Sequence, residues 1–401
     1  MHVAPSICPR CGNKIIHRQC YCILRDKIKI QQEFNEKAKK EFSGENYNVF
    51  VGRFGYPNIN VGFLNTGELT KEDDADNPQL WADKNYQIED VITKRSNLIN
   101  SNFRTQIKGF NDRFTALARD IALAKEPVDT EVSLEKKPQF SLSLHQEAAP
   151  HGPKVNVESA RATENIKIPH KVDKIVSDDL KASEGLEILH ANGFEQHYLT
   201  KILSTGNLGL TGNKKFVPTR WAITAVDDTL GKKLIEEIKD YKTGEYAAYF
   251  SGYLGNYYLI LLFPEPWSYE LFEMGVSSGE YSTDHEWYEG RKDYASDTVG
   301  GYYAARLSIL EQLKREKKQA AILALRFITD EYWAPLGVWV CRESSKKSMS
   351  TNPLQFNSKE ELLTYAKKFV KEKFKYDVSE IFKKSVLLDQ LHRQRRIRDF
   401  F

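Results

Sequence analysis

The chain's 401 residues, 41% hydrophobic and 12% aromatic, suffice for roughly two to three domains with a sizeable core. The longest uninterrupted apolar stretch, Tyr257–Phe263, is far shorter than the roughly 20 residues of a membrane-spanning helix, and Met1-His-Val-Ala-Pro-Ser6 lacks the basic and apolar regions of a secretory signal, so a cytoplasmic protein without a membrane partner is expected. The net charge of +3 is unevenly spread: residues 1–43 hold nine basic against four acidic side chains (9 − 4 = +5) and residues 383–401 six against two (6 − 2 = +4), leaving −6 between, which argues against one broad nucleic-acid face while allowing local basic patches.

Residues 1–25 form a candidate zinc module. Cys8-Pro-Arg-Cys11 and Cys20-Tyr-Cys22 are two close pairs at the ends of a short loop, the spacing that closes a tetrahedral four-thiolate shell around zinc. Two disulfides are the alternative, but nothing marks the chain as secreted, and cytosolic thiols stay reduced. Gly12 suits the turn that aims backbone amides at the sulfurs, and His2 and His17 lie near enough to substitute as ligands.

Residues 26–125 read as the first part of the body. Lys27–Phe42 is a predicted helix, with Ile30, Phe34, Ala38 and Phe42 on one face. Residues 48–63 are a predicted hairpin broken at Gly55–Asn58, and residues 85–125 look mainly helical. Residues 126–172 are polar and broken by prolines, which predicts an extended or poorly ordered excursion, with Gln139–Leu144 alternating like an edge strand. The main body, 173–390, has predicted strands at Tyr246–Phe250, Tyr257–Phe263, Ala320–Ile328 and Leu336–Cys341 and a helix at Val299–Lys318. Ser358-Lys-Glu-Glu361 matches a capping box before a further helix. The expected fold class is α+β, a mixed sheet with helices, with lone Cys341 in the core.

Residues 391–401 end in Gln394-Arg-Arg-Ile397-Arg-Asp-Phe400-Phe401. One short helical turn brings an aliphatic residue onto the same side as an aromatic pair three positions later, giving an apolar plug, while Gln394 offers an amide to a separate polar pocket. Two adjacent phenylalanines among charges imply a partner that buries them; folding back on the core is the alternative.

This pattern resembles the peptide that docks on the DNA sliding clamp PCNA. The whole chain, with the cysteine pairs, Phe50-Val-Gly-Arg-Phe-Gly-Tyr-Pro-Asn-Ile-Asn60 and Val217-Pro-Thr-Arg-Trp-Ala-Ile-Thr-Ala-Val-Asp-Asp228, is similar to the archaeal Nre family of DNA repair proteins. The resemblance implies a nucleoid-associated role in the DNA-damage response, recruitment by the clamp through Gln394, Ile397, Phe400 and Phe401, structural zinc at Cys8, Cys11, Cys20 and Cys22, and DNA as a further partner. It supplies no catalytic residues.

A catalytic body is the alternative: a metal-dependent nuclease or hydrolase acting on DNA or a nucleotide adduct. Its candidates are Asp227 and Asp228, the run Asp284-His285-Glu286, and Asp293, because carboxylates that meet in space hold magnesium or manganese and activate water. The bland alternatives are a strand-ending turn at Asp227-Asp228 and a helix cap at Asp297. There is no Gly-x-x-x-x-Gly-Lys-Ser/Thr loop. Gly206–Gly212 with Lys214 and Lys215 is a candidate phosphate cradle, although a plain turn accounts for it as well. Arg53 and Arg220, each in aromatic surroundings, are candidate phosphate ligands or partners of core carboxylates.

Overall fold

The computed structural model describes residues 21–67, 74–140 and 151–393, and its contacts divide the chain into two units. The first comprises residues up to Thr229 together with Ala334–Leu336; the second is the remainder. The mixed α+β class holds in both.

In chain order the first unit contains α1 (Tyr21–Lys37), β1 (Glu41–Val51), β2 (Asn58–Asn65), α2 (Pro78–Asp83), α3 (Ile88–Ser96), β3 (Ile99–Gln106), α4 (Arg113–Leu123), β4 (Val128–Leu134), β5 (Lys154–Ala162), α5 (His170–Ser177), α6 (Ala182–Ala191), α7 (Gln196–Ser204) and the start of α8 (Thr219–Ile238). Its five strands close a barrel in the order β1-β2-β3-β5-β4. All pairings are antiparallel except β3 with β5, and α4 connects β3 to β4. This is the topology of the five-stranded Greek-key barrel known as the OB-fold. Val49, Val51, Ile59, Val61, Phe63 and Phe103 point inward and are buried; the alternate positions point out.

The barrel corrects three expectations. The first helix ends at Lys37, and Phe42 is an inward residue of β1. Residues 85–125 are not mainly helical, because β3 lies between α3 and α4. The polar stretch 126–172 supplies β4 and β5, which complete the barrel, and then opens α5. The expected edge strand at Gln139–Leu144 falls largely outside the described residues, and residues 139–140 are in no strand.

The second unit continues α8 and contains β6 (Lys242–Thr243), β7 (Tyr246–Tyr253), β8 (Asn256–Phe263), β9 (Ser268–Gly275), β10 (Tyr281–Glu286), α9 (Val299–Glu316), β11 (Lys318–Gln319), β12 (Ala321–Ile328), α10 (Trp339–Met349), β13 (Leu354–Phe356), α11 (Lys359–Phe374), α12 (Ser379–Lys384) and α13 (Val386–Arg393). The main sheet runs β10-β9-β12-β8-β7-β13, with only β9 and β12 parallel. One face, including Leu261, Phe272, Leu325 and Phe327, packs on Leu362, Ala366 and Val370 of α11 and Ile381 and Leu387 beyond it. The other face meets α9 and α10, where Tyr269 lies 4.9 Å from Tyr302 and Ser348 Oγ donates to the Tyr258 carbonyl at 2.7 Å.

The central strands and α9 fall where the sequence places them. Leu336–Cys341 does not form a strand: Trp339 opens α10, where Cys341 is a buried free thiol. Ser358 caps α11, its Oγ accepting from the Glu361 N–H at 3.2 Å, while Glu361 reaches back to the Asn357 N–H at 3.0 Å. Among the described residues no helix is long and apolar enough to cross a membrane.

Candidate nucleic-acid interface

The β1–β2 connection, Gly52–Pro57, is an exposed hairpin tip whose turn depends on glycine. Gly55 has φ +85°, and a Cβ there would lie 2.7 Å from the Asn58 carbonyl, which L side chains avoid. The turn thrusts aromatic rings outward: Phe54 is 78% exposed, with the Arg53 guanidinium 5.0 Å above its ring. Tyr56 is 42% exposed, as is Phe50 at the end of β1.

Chain segments far away in sequence complete this surface. The Val51 N–H donates to Thr219 Oγ1 at 2.9 Å, which fixes the first residue of α8 against the end of β1. Ser204 Oγ contacts the same hydroxyl at 3.2 Å and donates to the Val217 carbonyl at 2.9 Å. So held, Trp221 sets its ring 5.3 Å from that of Tyr56 while remaining 45% exposed. From the other side the Phe216 N–H donates to the Ile107 carbonyl at 2.7 Å, joining residues 214–217 to the end of β3.

Outward side chains continue the surface across the sheet. Asn60 lies opposite Arg104 and Asn58 opposite Gln106 in the β2–β3 register, while Phe50 lies opposite Gly62 in the β1–β2 register. Residues 48–67, 98–111 and 205–226 contain Arg53, Arg104, Lys108, Lys214, Lys215 and Arg220 and no Asp or Glu, a net 6 − 0 = +6. No ion pair engages Arg53, Arg104, Lys215 or Arg220 among the described residues, which leaves those charges to attract an anion. The core-carboxylate alternative for Arg53 and Arg220 therefore gives way to an exposed setting for both.

Lys214 is differently employed: its Nζ donates to the Val176 carbonyl at 2.9 Å, and partial burial, followed by the charge of Arg119, lowers its pKa. Asp179, which accepts from the Thr211 N–H at 2.8 Å and is held below its ordinary pKa by the bonds from Thr211, is the acidic neighbour at this margin. Gly206 serves packing, since a Cβ would stand 2.6 Å from the Lys215 carbonyl, and residues 211–213 form a short 3-10 turn. The plain-turn account of Gly206–Gly212 thus explains its geometry.

The carboxylate candidates are set elsewhere. Asp227 is buried in the third turn of α8 with Asp228 half-buried beside it, so neither ends a strand. In the second unit Asp284 and Glu286 alternate with His285 on β10. Asp284 Oδ2 accepts from the Thr298 N–H at 2.8 Å, Thr298 Oγ1 at 2.9 Å and the Asp297 N–H at 3.0 Å, capping α9, and Oδ1 pairs with Arg291 at 2.8 Å. Asp297 itself is exposed, and the strand carboxylate caps the helix. Glu286 pairs with Arg306 at 2.6 Å, both fully buried, and accepts from Trp267 Nε1 at 3.2 Å. Asp293 is exposed, its carbonyl accepting from Arg291 Nε at 2.8 Å, and the His285 ring lies 5.2 Å from Trp287. Among the described residues no three His, Cys, Asp or Glu side chains converge to hold a metal ion.

Cys8, Cys11 and Cys20 lie outside the described residues, as do Gln394, Ile397, Phe400 and Phe401; of Cys22 only its place in the first turn of α1 is described. Arg104 and Gln106 carry no signal in the sequence alone, because the weak apolar period of β3 makes its stretch look helical, whereas Asn58 and Asn60 fall in the predicted hairpin and, as uncharged amides in a turn-rich run, do not mark a ligand site.

Residues 16–282 match the family described as archaeal Nre, N-terminal, and residues 286–400 match archaeal Nre, C-terminal. The chain is 35% identical over 353 residues to the DNA repair protein NreA of Haloferax volcanii, covering 82% of this chain and 84% of that protein. It is 34% identical over 382 residues to the DNA repair protein NreA of Archaeoglobus fulgidus, covering 91% and 94%, and 30% identical over 405 residues to the DNA repair protein NreB of the same organism, covering 98% and 99%. No solved structure matches it. The two motif segments that meet at Tyr56 and Trp221 thus lie within a chain matched in both its halves, and the chain belongs to the archaeal Nre family.

Proposed function

We propose that this chain is a DNA repair factor that holds DNA on the surface joining the β1–β2 hairpin to the start of α8 and is recruited by the DNA sliding clamp PCNA. The observation that carries the DNA contact is the meeting of the two motif segments on a surface with a net +6 in its three segments, where four basic side chains have no acidic partner among the described residues. The names of the relatives, DNA repair proteins NreA and NreB, support the pathway. Recruitment rests on Gln394, Ile397, Phe400 and Phe401, which fit an apolar docking pocket with an adjoining polar one. Zinc is assigned to Cys8, Cys11, Cys20 and Cys22, whose soft thiolates suit a closed structural site.

Each part has its own test. Replacing Phe400 and Phe401 with alanine abolishes binding to the clamp and leaves the melting temperature unchanged; a large fall in melting temperature supports fold-back of the tail instead. Cys8→Ser loses stoichiometric zinc, and metal analysis of the wild type that finds none ends the zinc assignment. DNA binding weakens steeply as salt rises, since it releases counterions, and binding indifferent to salt removes the phosphate contacts.

A further inference from the structure

We infer that the occupant of the hairpin surface is single-stranded DNA, its bases stacked on Phe54, Tyr56 and Trp221 and its phosphates held by Arg53, Arg104 and Arg220. This inference rests on the DNA reading above and narrows it to one strand state.

The rings decide between the two states. In a duplex the faces of the bases are occupied by stacking, and a protein reaches only base edges and phosphates. Basic side chains alone serve that purpose, and a ring 78% exposed at a hairpin tip gains little from it. Unpaired bases present both faces, so every base offers an apolar surface to an exposed ring whatever its identity. Phe54, with Arg53 over one side, and Trp221, braced by Tyr56, are placed on short, restrained segments, which lowers the ordering cost of capturing a flexible strand.

Beside the rings, the outward amides of Asn58, Asn60 and Gln106 both donate and accept hydrogen bonds, which suits exposed base edges. Arg104, Arg53 and Arg220 supply positive charge without a carboxylate partner among the described residues. The architecture agrees by analogy: in five-stranded barrels of this topology the face of strands two and three and the loop between strands one and two bind oligonucleotides. That analogy alone assigns nothing, because one fold hosts many functions; the exposed rings and the arginines on that face carry the inference.

The test is fluorescence anisotropy of the full chain with a labelled 25-residue oligothymidine, the same length of oligouridine and a 25-base-pair duplex, at several salt concentrations. The expected result is oligothymidine bound at least about tenfold more tightly than the duplex. Phe54→Ala and Trp221→Ala each weaken it about 5- to 100-fold at unchanged melting temperature, with partial rescue by Trp221→Phe. Arg53→Ala combined with Arg220→Ala lowers the slope of log affinity against log salt by about 0.7 for each phosphate no longer neutralised. Equal or tighter duplex binding overturns the single-strand assignment and leaves the DNA reading standing. Wild-type affinity in both ring variants overturns stacking, tighter binding of oligouridine transfers the site to RNA, and no binding of any of the three ends both readings.

Discussion

Tyr56 at the tip of the β1–β2 hairpin and Trp221 in the first turn of α8 hold their rings 5.3 Å apart at an angle of 56° while both stay more than two-fifths exposed. A hydrophobic core would bury such a pair; here they are braced from beneath. The Val51 N–H bond to Thr219 Oγ1 is that brace, because it ties the last residue of β1 to the residue that starts the helix.

Thr219→Val keeps the side-chain volume and removes the acceptor. The Val51 N–H loses its partner, and a net cost of about 1–2 kcal/mol is expected, read as a shift of the urea midpoint without a change of slope. The same variant weakens DNA binding more than the stability loss explains, because the two motif segments lose their register. An unchanged midpoint shows that the helix start is held by other contacts.

Glu286 and Arg306 form a fully buried ion pair, with the Arg306 guanidinium 5.7 Å and 5.3 Å from the rings of Tyr302 and Tyr303. Removing one partner leaves an uncompensated charge in the core, so Glu286→Gln is expected to cost about 3–5 kcal/mol, whereas Glu286→Gln with Arg306→Met recovers much of that. Gly231 makes room for the guanidinium, since a Cβ there would stand 2.8 Å from an Arg306 nitrogen. Gly231→Ala is therefore destabilising despite the better helix propensity of alanine. Thermal melts of the four proteins test the coupling; equal costs for the single and double charge variants refute it.

Asp284 distinguishes a structural from a catalytic carboxylate. Its bonds to Thr298, Asp297 and Arg291 predict that Asp284→Ala lowers stability by about 2–3 kcal/mol through loss of the cap and the pair, and that Asp284→Asn loses less because its amide oxygen still accepts. Calorimetry checks this. An Asp284→Ala protein that melts like the wild type yet loses a DNA-processing activity restores the catalytic alternative.

The parts of the fold that are legible in the sequence are those with one unambiguous period. Tyr257–Phe263 and Ala321–Ile328 are apolar on both faces because helices cover both sides of their sheet, and α9 is long enough to outlast any strand. The barrel is harder to see. β4 and β5 expose one face to solvent, so Val128, Thr130, Val132 and Leu134 alternate with polar residues, and the flanking prolines suggest a loop. β3 places Ser101 inward, which dilutes its apolar period. Leu336–Cys341 is a short apolar run, and such runs fit a helix as well as a strand. Of the candidate site, Arg53 and Arg220 are visible as arginines amid aromatics, but it is the docking of the start of α8 on the end of β1, through Thr219 and Val51, that brings their segments together.

Glu270 on β9 gives a test by pH. Its carboxylate is buried and accepts from Ser385 Oγ, the Val386 N–H at 3.0 Å and the Leu387 N–H at 3.1 Å, so it caps the start of α13, the helix that leads directly to Gln394. Two effects compete. Burial disfavours the charge, whereas the hydrogen bonds and the charge of His285 favour it; burial is the larger, and the pKa is raised. A carboxyl with a raised folded pKa binds its proton more tightly in the native state than in the unfolded chain, so its contribution to stability is fully present below the ordinary glutamate range and is lost as pH rises through the folded pKa. Glu270→Gln carries no titrating group, and its amide oxygen still accepts from the helix N–H groups. Urea unfolding of both proteins between pH 4 and pH 8 is therefore expected to show the wild type losing stability relative to Glu270→Gln as pH increases. A difference that grows in favour of the wild type with rising pH means that the helix N-terminus holds the carboxylate ionised, and that the capping bonds outweigh burial.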